Sequence, residues 1–114
     1  MKRLVAIAAG LCLLGLTPPA VAAAGNFALV NNTGIAIKSL SIRRTGTADW
    51  QPLGGNPAQG SRTAIAFKDP DCAFDIKAEL ADGKSATFSG VNLCDVTTVT
   101  LNRGASGTLW VDYD

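Results

Sequence analysis

The sequence predicts an all-β protein, a small antiparallel β-sandwich of about seven strands held by one disulfide. After residue 26 the chain is a series of short apolar runs with period-two alternation, which is typical of half-buried strands. Gly, Asn, Asp and Pro separate these runs, and no window has the periodicity of an amphipathic helix. Short strands in this number and spacing favour two packed sheets.

The first part of the chain predicts a cleavable signal peptide. Lys2 and Arg3 precede an uncharged apolar run over residues 4–16, and small residues fill positions 20–24. This order of basic, apolar and small-residue zones is what a signal peptidase reads. The apolar run is shorter than the roughly 20 residues that a membrane-spanning helix needs.

We therefore expect residues 1–24 to be removed and residues 25–114 to form one β-sandwich domain, periplasmic or secreted, with no membrane span left. Cleavage after Ala22 and cleavage after Ala24 both satisfy the small-residue requirement. Cys12 lies inside the apolar run and leaves with it.

The charge balance argues against two classes of partner. Without Lys2 and Arg3 the chain has 8 basic and 9 acidic side chains, a net charge of −1. Binding to nucleic acid or to anionic lipid requires a basic surface. We expect neither partner.

Each strand is predicted from its own apolar run. The predicted strands cover residues 27–31, 35–44, 61–68, 72–80, 84–92, 96–102 and 108–113. Asn32-Thr33-Gly34 forms the turn after the first strand. In the second strand the apolar residues change parity, and a bulge near Lys38 and Ser39 restores one inner face, because one extra residue resets the alternation.

The hairpin after residue 80 has two possible registers. A two-residue loop directs Phe88 towards water. A three-residue loop over residues 81–83, with Gly83 in the left-handed region, sets Phe88 opposite Ile76 on the inner face. We prefer the three-residue loop because it buries Phe88.

Cys72 and Cys94 are predicted to form the disulfide. An even number of cysteines in an exported domain indicates a cross-link, and two cysteines without any histidine make a poor zinc site. The hairpin register sets Cys72 opposite Asn92 and leaves Cys94 just beyond the open end, within bridging reach.

Several segments together resemble a family of small exported bacterial proteins. These are F-x-L-V-N-x-T-G from Phe27, C-x-x-D-I-K-A from Cys72, D-G at Asp82 and V-N-L-C from Val91. The resemblance covers nearly the whole chain after the signal peptide. It implies a periplasmic or secreted β-sandwich and carries no activity or catalytic residue across.

The residues give little support to an enzyme. No histidine is present to act as a general base, and both cysteines of the domain are assigned to the disulfide. Asp69 and Asp71 flank Pro70, which is the composition of a turn, although a pair of calcium ligands is an alternative. Asn31-Asn32-Thr33 matches a glycosylation sequon, but a turn explains it better. We expect no catalytic residue, no metal and no cofactor.

The Trp50 loop is the candidate binding site, within the longest connection, residues 45–60. It consists of Asp49, Trp50 and Gln51, and Arg43 and Arg44 precede it. Long loops on rigid sandwiches often bind ligands. The alternative is that Trp50 plugs one end of the core. Trp110 is out of phase with its strand and is expected on the outer sheet face or at an exposed edge.

These observations predict a non-enzymatic binding or structural module of the bacterial cell envelope that interacts with an unidentified protein. A glycan-binding module that uses the Trp50 loop is the alternative, and a small hydrolase is a more remote one. A protein-interaction role predicts an exposed apolar or aromatic patch, whereas a glycan-binding role predicts an exposed Trp50 ring beside polar side chains.

Overall fold

The computed structural model describes residues 22–114, and its regular structure consists of β-strands. The predicted signal peptide lies almost wholly outside the described residues. The strands are β1 (Phe27–Asn32), β2 (Ile37–Arg44), β3 (Gln51–Pro52), β4 (Arg62–Ile65), β5 (Ala73–Leu80), β6 (Ser85–Asn92), β7 (Thr98–Arg103) and β8 (Leu109–Tyr113). Within this part of the chain no helix is long and apolar enough to cross a membrane.

The strands form two four-stranded sheets, which confirms the predicted sandwich. The first sheet has the order β4-β1-β7-β8 and the second has the order β3-β2-β5-β6. β1 and β7 run parallel, with Leu29 opposite Val99, so the expectation of a purely antiparallel arrangement is wrong for this pair. A parallel pair needs a long crossover connection, and here most of the chain supplies it.

The core lies between the two sheets. Its buried side chains come from the inner face of each strand and from the segments beside the strands. Phe67 follows β4, which is shorter than the predicted strand over residues 61–68. Its ring still packs edge-to-face on Phe74, with ring centroids 5.2 Å apart, and on Phe27 at 6.4 Å. Such edge-to-face pairs stabilise a core beyond the area they bury.

The bulge predicted in the second strand is confirmed. The pairing of β2 with β5 shifts between Ile37 and Ser39, so that Ile37, Leu40 and Ile42 all face the core. Without the extra residue, either Ile37 or the pair Leu40 and Ile42 would point to solvent.

The predicted β5–β6 hairpin is also confirmed. The Leu80 N–H donates to the Lys84 carbonyl over 2.8 Å, and Gly83 has a φ of 87°. Phe88 pairs with Ile76, and both side chains are buried. Gly83 is required here because the loop needs a left-handed residue at this position.

The open end of the same hairpin differs from the prediction. Ser89 and Gly90 form a second bulge, so Asn92 lies opposite Ala73, and the predicted pairing of Cys72 with Asn92 is wrong by one residue. The disulfide between Cys72 and Cys94 nevertheless forms, with Cα atoms 5.1 Å apart. The Leu93 N–H donates to the Cys72 carbonyl over 2.9 Å, and this hydrogen bond holds the neighbouring Cys94 close to Cys72.

The turn after β1 is built around a fully buried amide. Asn31 is 0% exposed. Its Nδ2 donates to the carbonyl oxygens of Ile35 and Pro57, over 2.8 and 3.1 Å, and its Oδ1 accepts the backbone N–H of Thr33 over 3.0 Å. Because every polar atom of this amide is engaged, the sequon at this site reflects turn structure.

Ala24 belongs to the folded domain. It is 3% exposed and makes isolated bridges to Asp69 and Cys94. Its N–H donates to the Asp69 carbonyl over 2.9 Å, and the Asp69 N–H donates to the Ala24 carbonyl over 3.2 Å. The folded structure therefore begins at or before this residue.

Candidate binding site

The Trp50 loop is shaped by a short strand that sequence analysis missed. β3 pairs with β2 through Gln51 opposite Ile42 and Pro52 opposite Ser41, and this raises the number of strands from the predicted seven to eight. Two residues are too few to produce an alternation pattern. Their pairing holds the preceding residue, Trp50, beside the outer face of the second sheet.

Trp50 lies against two cations and is half-buried. The guanidinium carbon of Arg43 is 4.4 Å from the centroid of the indole ring, and Lys77 Nζ is 4.5 Å from it. Trp50 is not among the side chains that pack in the core, so the core-plug alternative does not hold. Cation–π attraction fixes the ring on the outside of the sheet.

A buried carboxylate anchors this arrangement from β5. Asp75 is 3% exposed and accepts hydrogen bonds from Arg43 Nε at 2.9 Å, Thr45 Oγ1 at 2.9 Å and the Gly90 N–H at 3.0 Å. Burial by itself raises the pKa of Asp75. The hydrogen bonds from Gly90, Arg43 and Thr45 outweigh burial and lower the pKa below its ordinary value.

Arg44 is held by the turn around Pro70. Its Nη2 lies 2.9 Å from Asp69 Oδ1, and its Nε lies 3.9 Å from Asp71 Oδ2. Desolvation raises the pKa of Asp69, but the Asp71 N–H, at 2.8 Å, and Arg44 together lower it. The two aspartates thus form a turn paired with an arginine. Among residues 22–114 no group of three acidic, Cys or His residues is placed to hold a metal ion.

Four of the five predicted site residues converge on one cleft at this end of the sandwich. The Trp50 cleft has a volume of about 420 Å³. Its lining includes Arg43, Arg44, Asp49, Gln51, Phe67 and Phe74. Trp50 itself lies beside this cleft, stacked on Arg43, and is absent from its lining.

Most polar side chains of the Trp50 cleft already pair with another side chain of the protein. Arg43 pairs with Asp75, Arg44 pairs with Asp69, and Gln51 Nε2 donates to Asp49 Oδ1 over 2.9 Å. Lys77 was missed as a member of this cluster. Its parity placed it on the outer face, but only the pairing of β2 with β5 brings it to Trp50.

A second surface lies at the edge strand β8. Trp110 and Tyr113 are 46% and 44% exposed and are the large apolar side chains left exposed among the described residues. A Cβ atom added at Gly104 would lie 3.5 Å from Trp110 Cζ3, so the indole rests against this glycine on the outer sheet face. The expectation that Trp110 lies on the outer face or at an edge is confirmed.

β8 also borders a groove, which we call the edge groove. It has a volume of about 390 Å³ and lies between β6, at Thr87 and Ser89, and β8, at Leu109, Trp110, Val111 and Tyr113. The Asn92 N–H of β6 donates to the Tyr113 hydroxyl over 3.0 Å and closes one end. β6 and β8 are edge strands of different sheets and do not pair with each other.

The fold and the cross-link define a class: an all-β, disulfide-linked sandwich of two four-stranded sheets. No protein-family model matches this chain, and neither the curated proteins nor the solved structures contain a significant match.

Proposed function

We propose that this protein is a non-enzymatic module, exported to the bacterial cell envelope, that binds a protein partner at its β8 edge. One observation carries the proposal. Trp110 and Tyr113 are exposed together on an edge strand, beside a groove that the protein's own strands leave open. Exposed aromatic side chains are the typical anchors of protein interfaces.

Export is supported by the disulfide and by the N-terminal sequence. A disulfide between Cys72 and Cys94 is compatible with an oxidising compartment. The basic, apolar and small-residue zones of the first 24 residues supply the signal. The resemblance to small exported bacterial proteins supports the same location.

The absence of catalysis is supported by the state of the carboxylates at the Trp50 cleft. A general acid needs a raised pKa, as in glycoside hydrolases. Asp69 lines this cleft and Asp75 pairs with its Arg43, yet the pKa of each is lowered. Both are therefore ionised and occupied by arginine at neutral pH, which speaks against the hydrolase alternative.

The glycan alternative is less well supported by the geometry at Trp50. A sugar would have to stack on the ring that Arg43 and Lys77 already contact, each within 4.5 Å of the ring centroid, so less of the ring is available to a ligand. A titration with neutral oligosaccharides tests this alternative directly. Saturable binding that disappears in Trp50→Ala would favour the glycan module over the protein-binding one.

Site-specific photo-crosslinking tests the proposal in the envelope. Trp110 is replaced by p-benzoylphenylalanine, and the same replacement at Ser39, exposed on the outer face of the other sheet, is the control. We expect one recurrent protein adduct at position 110, identifiable by mass spectrometry, and none at position 39. Equal crosslinking at the two positions, or none at position 110, would overturn the proposal.

A further inference from the structure

We propose that the edge groove binds one extended, uncharged segment of the partner protein, which pairs with β8 as an additional strand. This inference rests on the proposed protein-binding function and specifies how the partner is held. It follows from which backbone groups are unpaired, from the lack of protection at the β8 edge and from the chemistry of the lining.

The hydrogen bonds between β7 and β8 show which residues of β8 face outward. The Gly104 N–H donates to the Thr108 carbonyl over 2.8 Å, and the Asp114 N–H donates to the Thr98 carbonyl over 3.0 Å. The N–H and C=O groups of successive residues point to alternate sides of a strand. The N–H and C=O groups of Leu109, Val111 and Tyr113 therefore point away from β7 and towards the edge groove.

β6 presents a matching set of groups from the other side. The Leu80 N–H donates to the Lys84 carbonyl, so the even-numbered residues of the strand pair with β5 as far as Phe88. By the same alternation, the backbone groups of Ser85 and Thr87 point outward. Of these two residues Thr87 lines the groove, so outward backbone groups from both edges border it, which is the geometry that strand addition uses.

β8 lacks the features that usually prevent strand addition, whereas β6 has one of them, the bulge at Ser89 and Gly90. Proteins protect edges with proline, lysine, bulges or very short strands. On the opposite side of the sandwich, β3 is two residues long and contains Pro52, and β4 has four residues. β6 and β8 contain no proline, lysine or arginine, and the one charged residue, Asp112, accepts a hydrogen bond from Asn102 Nδ2 over 3.0 Å.

The lining of the groove indicates an uncharged occupant. Leu109 and Val111 offer apolar contacts, and Thr87 and Ser89 offer hydroxyl groups. A charged side chain entering this groove would lose water without gaining an opposite charge. The complementary segment alternates apolar and hydroxyl-bearing residues, because alternate side chains of an added strand face the same side.

The size of the edge favours a peptide segment over a second copy of this chain as the occupant. A stable dimer buries about 800 Å² on each partner, through roughly 20–30 residues. β8 has five residues, and the Asn92–Tyr113 hydrogen bond keeps β6 beside it. A whole sheet edge is therefore hindered from approaching, whereas a single extended chain fits.

A synthetic peptide tests strand addition on the oxidised protein. The probe has about eight residues of alternating Val and Thr, with Gly-Ser tails for solubility. Its control is the same peptide N-methylated at alternate residues, which keeps the side chains and removes the pairing N–H groups. We expect the probe to bind saturably and the N-methylated peptide to bind about tenfold more weakly or not at all.

Three protein variants locate the binding. Val111→Pro removes an outward N–H that β7 does not use, and Ser89→Lys places a lysine at the β6 edge. Both should weaken probe binding about tenfold. Ser39→Lys makes the same chemical change on exposed β2 surface outside the groove and should leave binding unchanged. Circular dichroism and the melting temperature establish that each variant is folded.

Equal binding of the N-methylated peptide, no binding of the probe at millimolar concentration, or dimerisation of the protein through β8 would each overturn strand addition. Photo-crosslinking at position 110 separates this failure from failure of the proposed function. A protein adduct that persists in Val111→Pro and Ser89→Lys keeps the protein-binding function and rejects the added strand. In the protein without these two substitutions, failure to form the adduct together with failure to bind the peptide rejects both proposals.

Discussion

Arg43 Nε donates a hydrogen bond to Asp75 Oδ2 over 2.9 Å and joins β2 to β5 on the outer face of the second sheet. The same guanidinium lies against the ring of Trp50. One ion pair therefore links a buried carboxylate to the loop that the sequence indicates as the candidate site.

Removing the charge of Asp75 should destabilise the protein. We expect Asp75→Asn to lower the free energy of unfolding by about 2 kcal/mol, because hydrogen bonds to a charged group contribute about 1.5–3 kcal/mol. Urea unfolding at neutral pH measures this change. Asp49→Asn, at an exposed residue, is the control and should change stability by less than about 0.5 kcal/mol.

The lowered pKa of Asp75 also predicts the sign of a pH effect. Between the folded and unfolded pKa values the unfolded chain binds more protons, so the free energy of unfolding rises with pH there. The stabilisation is complete above the ordinary carboxyl pKa of about 4 and is lost as the pH falls through the folded value. A plot of the free energy of unfolding against pH, from neutral to acid, should be flatter for Asp75→Asn than for the native protein. Parallel plots would contradict this assignment.

The disulfide should contribute a large share of the stability. It joins cysteines 22 positions apart, and a loop of this size contributes about 3 kcal/mol. The double variant Cys72→Ala/Cys94→Ala should melt more than about 10 °C lower, and the oxidised native protein should show no free thiol when denatured. Two labelled thiols in that protein would refute the cross-link.

Phe88 should be among the most sensitive core positions. It faces Ile76 on the inner surface of the sheet and is buried, so Phe88→Ala should cost about 3–5 kcal/mol. Thr87→Ala, at the neighbouring outward position, should cost less than about 1 kcal/mol. Similar values for the two variants would show that the register of the hairpin is shifted.

Trp50→Ala should leave the domain folded. The ring contacts Arg43 and Lys77 on the outer face, and each exposed cation–π contact contributes about 0.5–1 kcal/mol. We expect a loss of about 1–2 kcal/mol in the free energy of unfolding, well below that of Phe88→Ala. Unfolding of the variant at room temperature would instead show that the loop is essential to the fold.

The packing of Ala24 in the folded domain favours signal cleavage after Ala22 over the alternative after Ala24. The exported protein then keeps Ala24, which pairs with Asp69 through two backbone hydrogen bonds. Its intact mass should correspond to a chain that starts at Ala23. A form that starts at Gly25 would lose this pairing and about 1 kcal/mol of stability, and recovery of the uncleaved chain in the membrane would contradict export with cleavage.

The sequence predictions succeeded where a feature depends on residues that are close together in the chain. The Gly83 turn, the bulge near Ser39 and the pairing of Phe88 with Ile76 depend on residues close together in the chain, where alternation and turn chemistry restrict the choice. The bulge at Ser89 and Gly90 escaped prediction because its role is to deliver the Gly90 N–H to Asp75, which is buried by contacts from other strands.

The candidate site was likewise predicted only in part. Residue type and loop length identified Arg43, Arg44, Asp49, Trp50 and Gln51, and four of these line one cleft. Lys77 and the edge groove depend on sheet order, which pairs strands far apart in the sequence. The two-residue strand β3 is too short to leave any pattern of its own.

The sequence by itself determined the all-β class, the disulfide, the hairpin turn and the inner faces of β2 and β5, because period-two alternation and turn residues act over a few neighbouring positions. Only the tertiary structure decided the parallel pairing of β1 with β7, the position of Trp50 outside the core and the open groove between β6 and β8. These depend on how distant strands pack, and the free energy of that packing is shared among many residues with no local pattern.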